Sequence, residues 1–297
     1  MKAVLAALSS RLWQCAVLVL LTFGILARPA FADPALWVLR DADSTIYLFG
    51  TVHAMKPGVN WHNAKIDKAF ASSGELWVEE TGDEDQAAMA QLVARYGIDP
   101  QHPLSAKLTP PQRQKMARAT QAAKLNLMQI DQTRPWLAAV TLSVVPLIQA
   151  GFDPNNGIDH MLRASAAAVG KPIHAFETPE RQIRIFADLP PQDELALLSQ
   201  TLDEIDEGPA YIGKLIDDWL RGDTAAIDKE VSADMRDQTP SLYKAVFLDR
   251  NVAWTQRIEA MMAGQGTAFI AVGAGHLAGK DSVINMLNHD GYKVVRE

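Results

Sequence analysis

The strongest constraint on this chain is a pattern found near each of its ends: an apolar, β-like run that stops at Gly-x-x-His. Ile46-Tyr47-Leu48-Phe49-Gly50-Thr51-Val52-His53 is echoed by Phe269-Ile270-Ala271-Val272-Gly273-Ala274-Gly275-His276. A strand that ends in glycine can turn sharply without the steric limits of a Cβ. The histidine three residues on is then held at the strand's C-terminal edge, where clefts and ligands collect in α/β sheets. Two such turns in one sheet would bring His53 and His276 together from opposite ends of the chain. A single Gly-x-x-His is readily supplied by chance, as a turn glycine followed by an incidental histidine. Its repetition at two strand ends favours a shared site, where imidazole could exchange a proton near neutral pH or bind a metal.

Other segments fit around those strands. Ala35–Arg40 and Thr45–Phe49 flank Asp41-Ala42-Asp43-Ser44 and read as a hairpin. A helix is expected over about 63–71 and a short strand over 75–79. Residues 83–170 are mostly helical in pattern, with Thr109 and Asp131 as candidate N-caps. Ile173–Phe176 reads as a buried strand, and Thr178-Pro179-Glu180 as a capped helix start. Amphipathic helices follow over 191–262, then strand 267–272, helix 281–289 and strand 292–296. The expected fold is therefore α/β (α+β), with a central mixed sheet built from both chain ends and flanked by helices. Residues 33–297 would form one such domain, with helical inserts over roughly 83–170 and 190–262.

The first 32 residues read differently. Lys2 and Arg11 precede an apolar run from Cys15 to Ala27, and Ala30-Phe31-Ala32 offers a small-x-small cleavage signal. That is the layout of a secretory signal peptide cut after Ala32, and the apolar run is short for a membrane span of about 20 residues. An uncleaved anchor is the alternative. The expected location is periplasmic or secreted, with no membrane span after cleavage, since no later stretch is long and apolar enough. Cleavage removes the only cysteine, Cys15, and with it any disulfide, thiolate ligand or cysteine nucleophile. It also removes three cations and no acid, so the mature chain is more acidic than the formal −7 of the whole. A nucleic-acid partner is excluded on that charge and on the lack of a basic stripe.

Carboxylates stand at two further strand ends. Glu79 and Glu80 follow Leu76-Trp77-Val78, and Glu177 follows Ile173–Phe176. A carboxylate so placed can be a metal ligand, a general base or the partner that fixes an imidazole tautomer. Glu80 reads as a solvated strand end, and Glu79 and Glu177 as site groups. His62, His102 and His289 read as surface residues, His160 as a flank of the site, and His174 as a hydrogen-bonded core histidine. Trp136, Trp219 and Trp254 read as core. Gly273-x-Gly275-x-x-x-Gly279 carries part of a dinucleotide-binding turn, but too little chain follows it to complete that fold. There is no Gly-x-Ser-x-Gly elbow, His-Glu-x-x-His or Walker loop, which disfavours serine hydrolases, zincins and P-loop enzymes.

Taken together, Leu48-Phe49-Gly50-Thr51-Val52-His53, Leu76-Trp77-Val78-Glu79, Gly157-Ile158-Asp159, Phe176-Glu177-Thr178, Asp249-Arg250-Asn251 and Val272-Gly273-Ala274-Gly275-His276-Leu277-Ala278-Gly279 resemble the TraB/GumN (TraB/PrgY/GumN) family. That family is related to the Tiki metalloproteases and more distantly to ChaN-like and erythromycin-esterase-like folds. The resemblance implies a site of His53, His276, Glu79 and Arg250, with Asp159, Glu177 and Asn251 supporting it. Arg250 could clamp a substrate carboxylate or hold Glu79 ionised. The Tiki relatives further imply a divalent ion (Mn, Co or Zn) on His53, Glu79 and His276, and hydrolysis of a peptide or other small extracytoplasmic substrate. The alternatives are a non-catalytic protein that sequesters a peptide or serves envelope polysaccharide export, and metal-free hydrolysis with His53 as general base. The oligomeric state is left open. For the leader, N-terminal sequencing of protein recovered from the exported fraction should begin at Asp33; a chain starting at Met1 would overturn the cleavage.

Overall fold

The computed structural model describes residues 32–297, so the expected signal sequence lies outside the described residues except for Ala32. Six strands form one mixed sheet in the order β4-β3-β5-β2-β1-β6. They are β1 (Leu36–Arg40), β2 (Ser44–Thr51), β3 (Glu75–Glu80), β4 (Ile173–Glu177), β5 (Gly266–Gly273) and β6 (Val295–Arg296). β4, β3, β5 and β2 run parallel, whereas β1 pairs antiparallel with β2 and with β6. The expected sheet from both chain ends is thus present, and the hairpin falls where the Asp and Ser turn residues place it.

The parallel strands bury both faces, as a sheet covered on each side must. In β5, Phe269 and Ala271 face one apolar core with Phe49, Leu76 and Val78, while Ala268, Ile270 and Val272 face another with Leu48, Trp77 and Trp254. Period-2 alternation separates the two sets. A third, wholly helical core joins Leu104, Met116, Leu142 and Leu198 beside the sheet. It is built from helices Pro110–Ala122, Pro135–Gln149 and Pro191–Glu204.

Helix starts follow their capping chemistry. Thr109 forms a capping box with Gln112, and the Thr178 side chain accepts from the Arg181 N–H ahead of helix Pro179–Ala187. Asp131 is not a cap. It ends helix Leu127–Asp131, and its carboxylate instead accepts from Ser105 N at 2.6 Å. Helix 281–289 starts two residues later than expected, at Val283, with Ser282 as its cap. The terminal strand shrinks to Val295–Arg296, because only Trp37 and Val38 offer it partners.

His174 departs from the core role expected of it. β4 is an edge strand, so this residue is exposed; it stacks on Trp77 at 4.9 Å and sets Nε2 3.2 Å from Glu75 Oε2. Trp136, Trp219 and Trp254 are buried. The sheet centre should carry the stability: Phe269→Ala, at a fully buried position, is expected to cost about 3–5 kcal/mol in urea unfolding, and a loss below about 1 kcal/mol would contradict this packing.

Candidate functional site

The four parallel strands end on one edge of the sheet. Thr51, Glu80, Glu177 and Gly273 are their last residues, and the candidate groups gather just beyond. β2 and β5 are neighbours, with Thr51 paired to Gly273, so the two Gly-x-x-His turns emerge side by side.

Glycine is required at Gly273 for a reason other than turn geometry. Its φ of −50° is open to any residue, but a Cβ there would stand 3.0 Å from Glu79 Oε1, 3.5 Å from His53 Nε2 and 3.6 Å from His276 Cδ2. The three candidate side chains therefore converge on one small space above the Gly273 backbone. Gly50 similarly lets Ala274 approach, at 3.0 Å from where its Cβ would be. Gly157 explains the Gly157-Ile158-Asp159 landmark. A Cβ on it would lie 2.4 Å from the His53 carbonyl oxygen, the Ile158 N–H donates to Val52 O at 2.9 Å, and Asp159 Oδ1 then reaches His53 Nδ1 at 3.2 Å.

Arg250 is the hub. It sits in the first turn of helix Asp249–Met262 and is buried. Nε and Nη2 form a fork on Glu177 at 2.8 and 2.9 Å, Nη2 also donates to Glu79 Oε2 at 2.6 Å, and Nη1 donates to His276 Nε2 at 2.9 Å and to Val246 O at 3.2 Å. A guanidinium has five N–H donors, and all are taken by protein acceptors. Of the two roles expected for it, the geometry matches holding Glu79 ionised and leaves no N–H for a substrate. The guanidinium also lies 4.6 Å over the Trp254 ring.

His276 is held on both sides. Asn251 Nδ2 donates to Asp281 O at 2.7 Å, which turns Asn251 Oδ1 toward His276 Nδ1 at 2.6 Å. The network thus assigns the proton to Nδ1 and makes Nε2 the acceptor for Arg250. Phe247 and Trp254 enclose the ring at 5.0 and 4.4 Å. Burial first, then the nearby Arg250 charge, pushes its pKa down to about 3 against the pull of Glu79, so the ring is neutral.

His53 is the opposite case. Its side chain is 65% exposed, on the floor of a cleft whose walls surround it. Burial by those walls works to lower its pKa, but the bond to Asp159 and the Glu79 charge raise it to about 9. With water reaching the ring, the carboxylates win. Among the described residues Nε2 has no hydrogen-bond partner, and it faces the cleft.

For Glu79, burial works to raise the pKa, while His276, Arg250, His53 and the Gly273 N–H at 2.6 Å lower it well below the usual carboxylate range. His276 is itself neutral at pH 7, so Arg250, the His53 imidazolium and the Gly273 amide do the lowering there. Glu80, read as a solvated strand end, is half-buried in the cleft wall and raised to about 7 by burial and by Asp83. Gln182, which sequence reading did not single out, donates to Glu79 at 3.4 Å and Glu177 at 3.3 Å. A helix starting directly after the β4 carboxylate was the available signal for it.

The donor set is a poor match for a divalent ion. His53 Nε2 and Glu79 Oε1 face open space, but His276 has a proton on Nδ1 and Arg250 on Nε2, so it offers no lone pair. Among the described residues, no group of three or more His, Asp or Glu side chains is arranged to hold a metal. With a guanidinium 2.6 Å from Glu79 as well, the residues as arranged do not fit a resident three-ligand ion.

A strand-edge site of two Gly-x-x-His turns, a glutamate and a buried arginine is the constellation that the TraB resemblance implied. The family model described as TraB/PrgY/gumN matches residues 35–296, and the chain belongs to this family. It is similar to the "uncharacterized protein YbaP" of Escherichia coli (strain K12), 24% identical over 254 residues that cover 86% of this chain and 92% of that one. An "uncharacterized protein" of Treponema pallidum (strain Nichols) is 20% identical over 267 residues, covering 84% and 79%. No solved structure matches the chain significantly.

The buried His276 makes an acid-sensitive contribution to stability. The folded His276 resists protonation down to about pH 3, whereas its unfolded counterpart binds a proton below 6.5. The unfolded state thus gains protons first, and stability present above pH 6.5 is lost as pH falls. Glu79, lowered from 4.5, acts in the same direction at lower pH. The His276 share of this loss is on the order of 2 kcal/mol between pH 7 and 5, and the raised His53 and Glu80 oppose it over the same interval. In urea unfolding His276→Gln should lose that much less stability than the parent protein on going from pH 7 to 5, and an unchanged slope in the variant would refute the assignment.

Proposed function

We propose that the protein is a hydrolase, acting after export on a peptide or comparable small substrate, in which His53 takes a proton from the attacking water. The observation that carries this reading is the free His53 Nε2 facing the cleft, beside ionised Glu79, with Nδ1 held on Asp159. Water between His53 Nε2 and Glu79 Oε1 would give one proton to the imidazole as its oxygen attacks the substrate carbonyl. Glu79 would accept the second O–H and orient the attack. The carbon–nitrogen or carbon–oxygen bond then breaks, and His53 returns the proton to the leaving atom. Asp159 fixes the ring and supports its charged form. Arg250 and His276 hold Glu79 in place and keep it anionic.

The donor set supports a base mechanism over one in which an ion on His53, Glu79 and His276 activates the water. Against a peptide library, His53→Ala should lose about 10²–10⁴ of the activity. Because the neutral ring is the base, kcat/KM should climb with pH by about tenfold per unit and level off near 9. Asp159→Asn should move that plateau to lower pH. Activity should survive exhaustive chelation. A strict need for Mn²⁺, Co²⁺ or Zn²⁺ would make His53 and Glu79 ligands and overturn the base role, and saturable binding with no product would favour sequestration.

A further inference from the structure

The cleft has two unlike arms that meet at His53 and Glu79, both of which line each of them. One arm, of about 580 Å³, is walled by apolar groups including Leu147, Ile148, Phe152, Ile216, Trp219 and Phe247. The other arm, of about 660 Å³, carries Glu80, Asp83 and Glu84 on one wall, and among the described residues Arg163 is the only guanidinium lining it. Arg163 pairs with Asp83 at 2.7 Å and also contacts Glu84, which leaves the carboxylates in excess.

We propose that the substrate is an amphipathic peptide whose neighbouring apolar side chains fill the first arm and whose lysine or arginine side chains enter the second. The reacting bond then lies between them, above Gly273. The position of that bond rests on the hydrolase reading; the complementarity of the two arms does not. The apolar arm has the size of an ordinary small-ligand pocket, and opposite charges within a cleft raise both encounter rate and selectivity.

The test uses end-capped hexapeptides in both chain directions. One has two lysines, an alanine and a Leu-Phe-Leu run; a second replaces the lysines by glutamates, and a third replaces the apolar run by serines. Calorimetry reads binding, and mass spectrometry reads cleavage separately. The first peptide should bind at least about tenfold more tightly than either control. Ile148→Asp, at a position 52% exposed at the rim of the apolar arm, should remove the preference for the apolar run. Glu84→Lys, with a side chain 64% exposed, should remove the preference for lysine. Both positions are surface-accessible, and the ranking of peptides on the unmodified protein needs no variant. Equal affinities for the three peptides, or variants that leave the ranking intact, overturn the proposal. The expected ranking with every peptide recovered whole would sink the hydrolase reading and leave the substrate class standing.

Discussion

The site depends on one buried cation. Taking the Arg250 guanidinium out of water is costly unless its charge and all its donors are matched, and here Glu79, Glu177, His276 and the Val246 carbonyl match them. These partners come from the end of β3, the end of β4, the turn after β5 and the segment preceding helix Asp249–Met262. The arginine therefore ties three strand ends to one helix. Loss of a single partner would leave a buried donor unpaired, and loss of the arginine would leave Glu79 and Glu177 as neighbouring buried carboxylates without their shared cation. Planar bidentate pairing also sets the angle of each carboxylate, which a lysine could not do.

That hub divides the labour between two histidines presented by the same motif. His276 is enclosed by Phe247 and Trp254 and hydrogen-bonded on both ring nitrogens, and its pKa falls to about 3. His53 stands in the open cleft beside two carboxylates, and its pKa rises to about 9. Arg250 separates them physically: it takes up the His276 lone pair and holds Glu79 anionic, and that charge in turn raises His53. Pairs of groups pushed apart in this way are what acid–base chemistry requires. A repeated motif has become one enclosed, neutral histidine and one that faces the cleft.

Much of this was legible in the residues. Strand patterning and the glycine-terminated runs placed β2 and β5, and Glu79 and Glu177 stood out as carboxylates ending apolar strands. Arg250, Asn251 and Asp159 were legible only through resemblance, because an arginine in an amphipathic helix ordinarily reads as surface. The role of His174 was misread because apolar neighbours in a strand do not reveal that the strand is an edge. Glu80 was misread for a related reason: alternation gives the face a side chain takes, and here that face lines the wall of a cleft.

The local sequence by itself determined the strands, the capped helices and the two motifs, since these follow from side-chain periodicity and from backbone preferences within a few residues. Only the tertiary structure decided that Thr51 pairs with Gly273, setting the two Gly-x-x-His turns side by side. It also decided that Gly273 is needed to make room for Glu79, His53 and His276 rather than to turn the chain. Register between distant strands and the burial of a charge are collective properties: they depend on which surfaces meet, and a linear pattern carries no term for that.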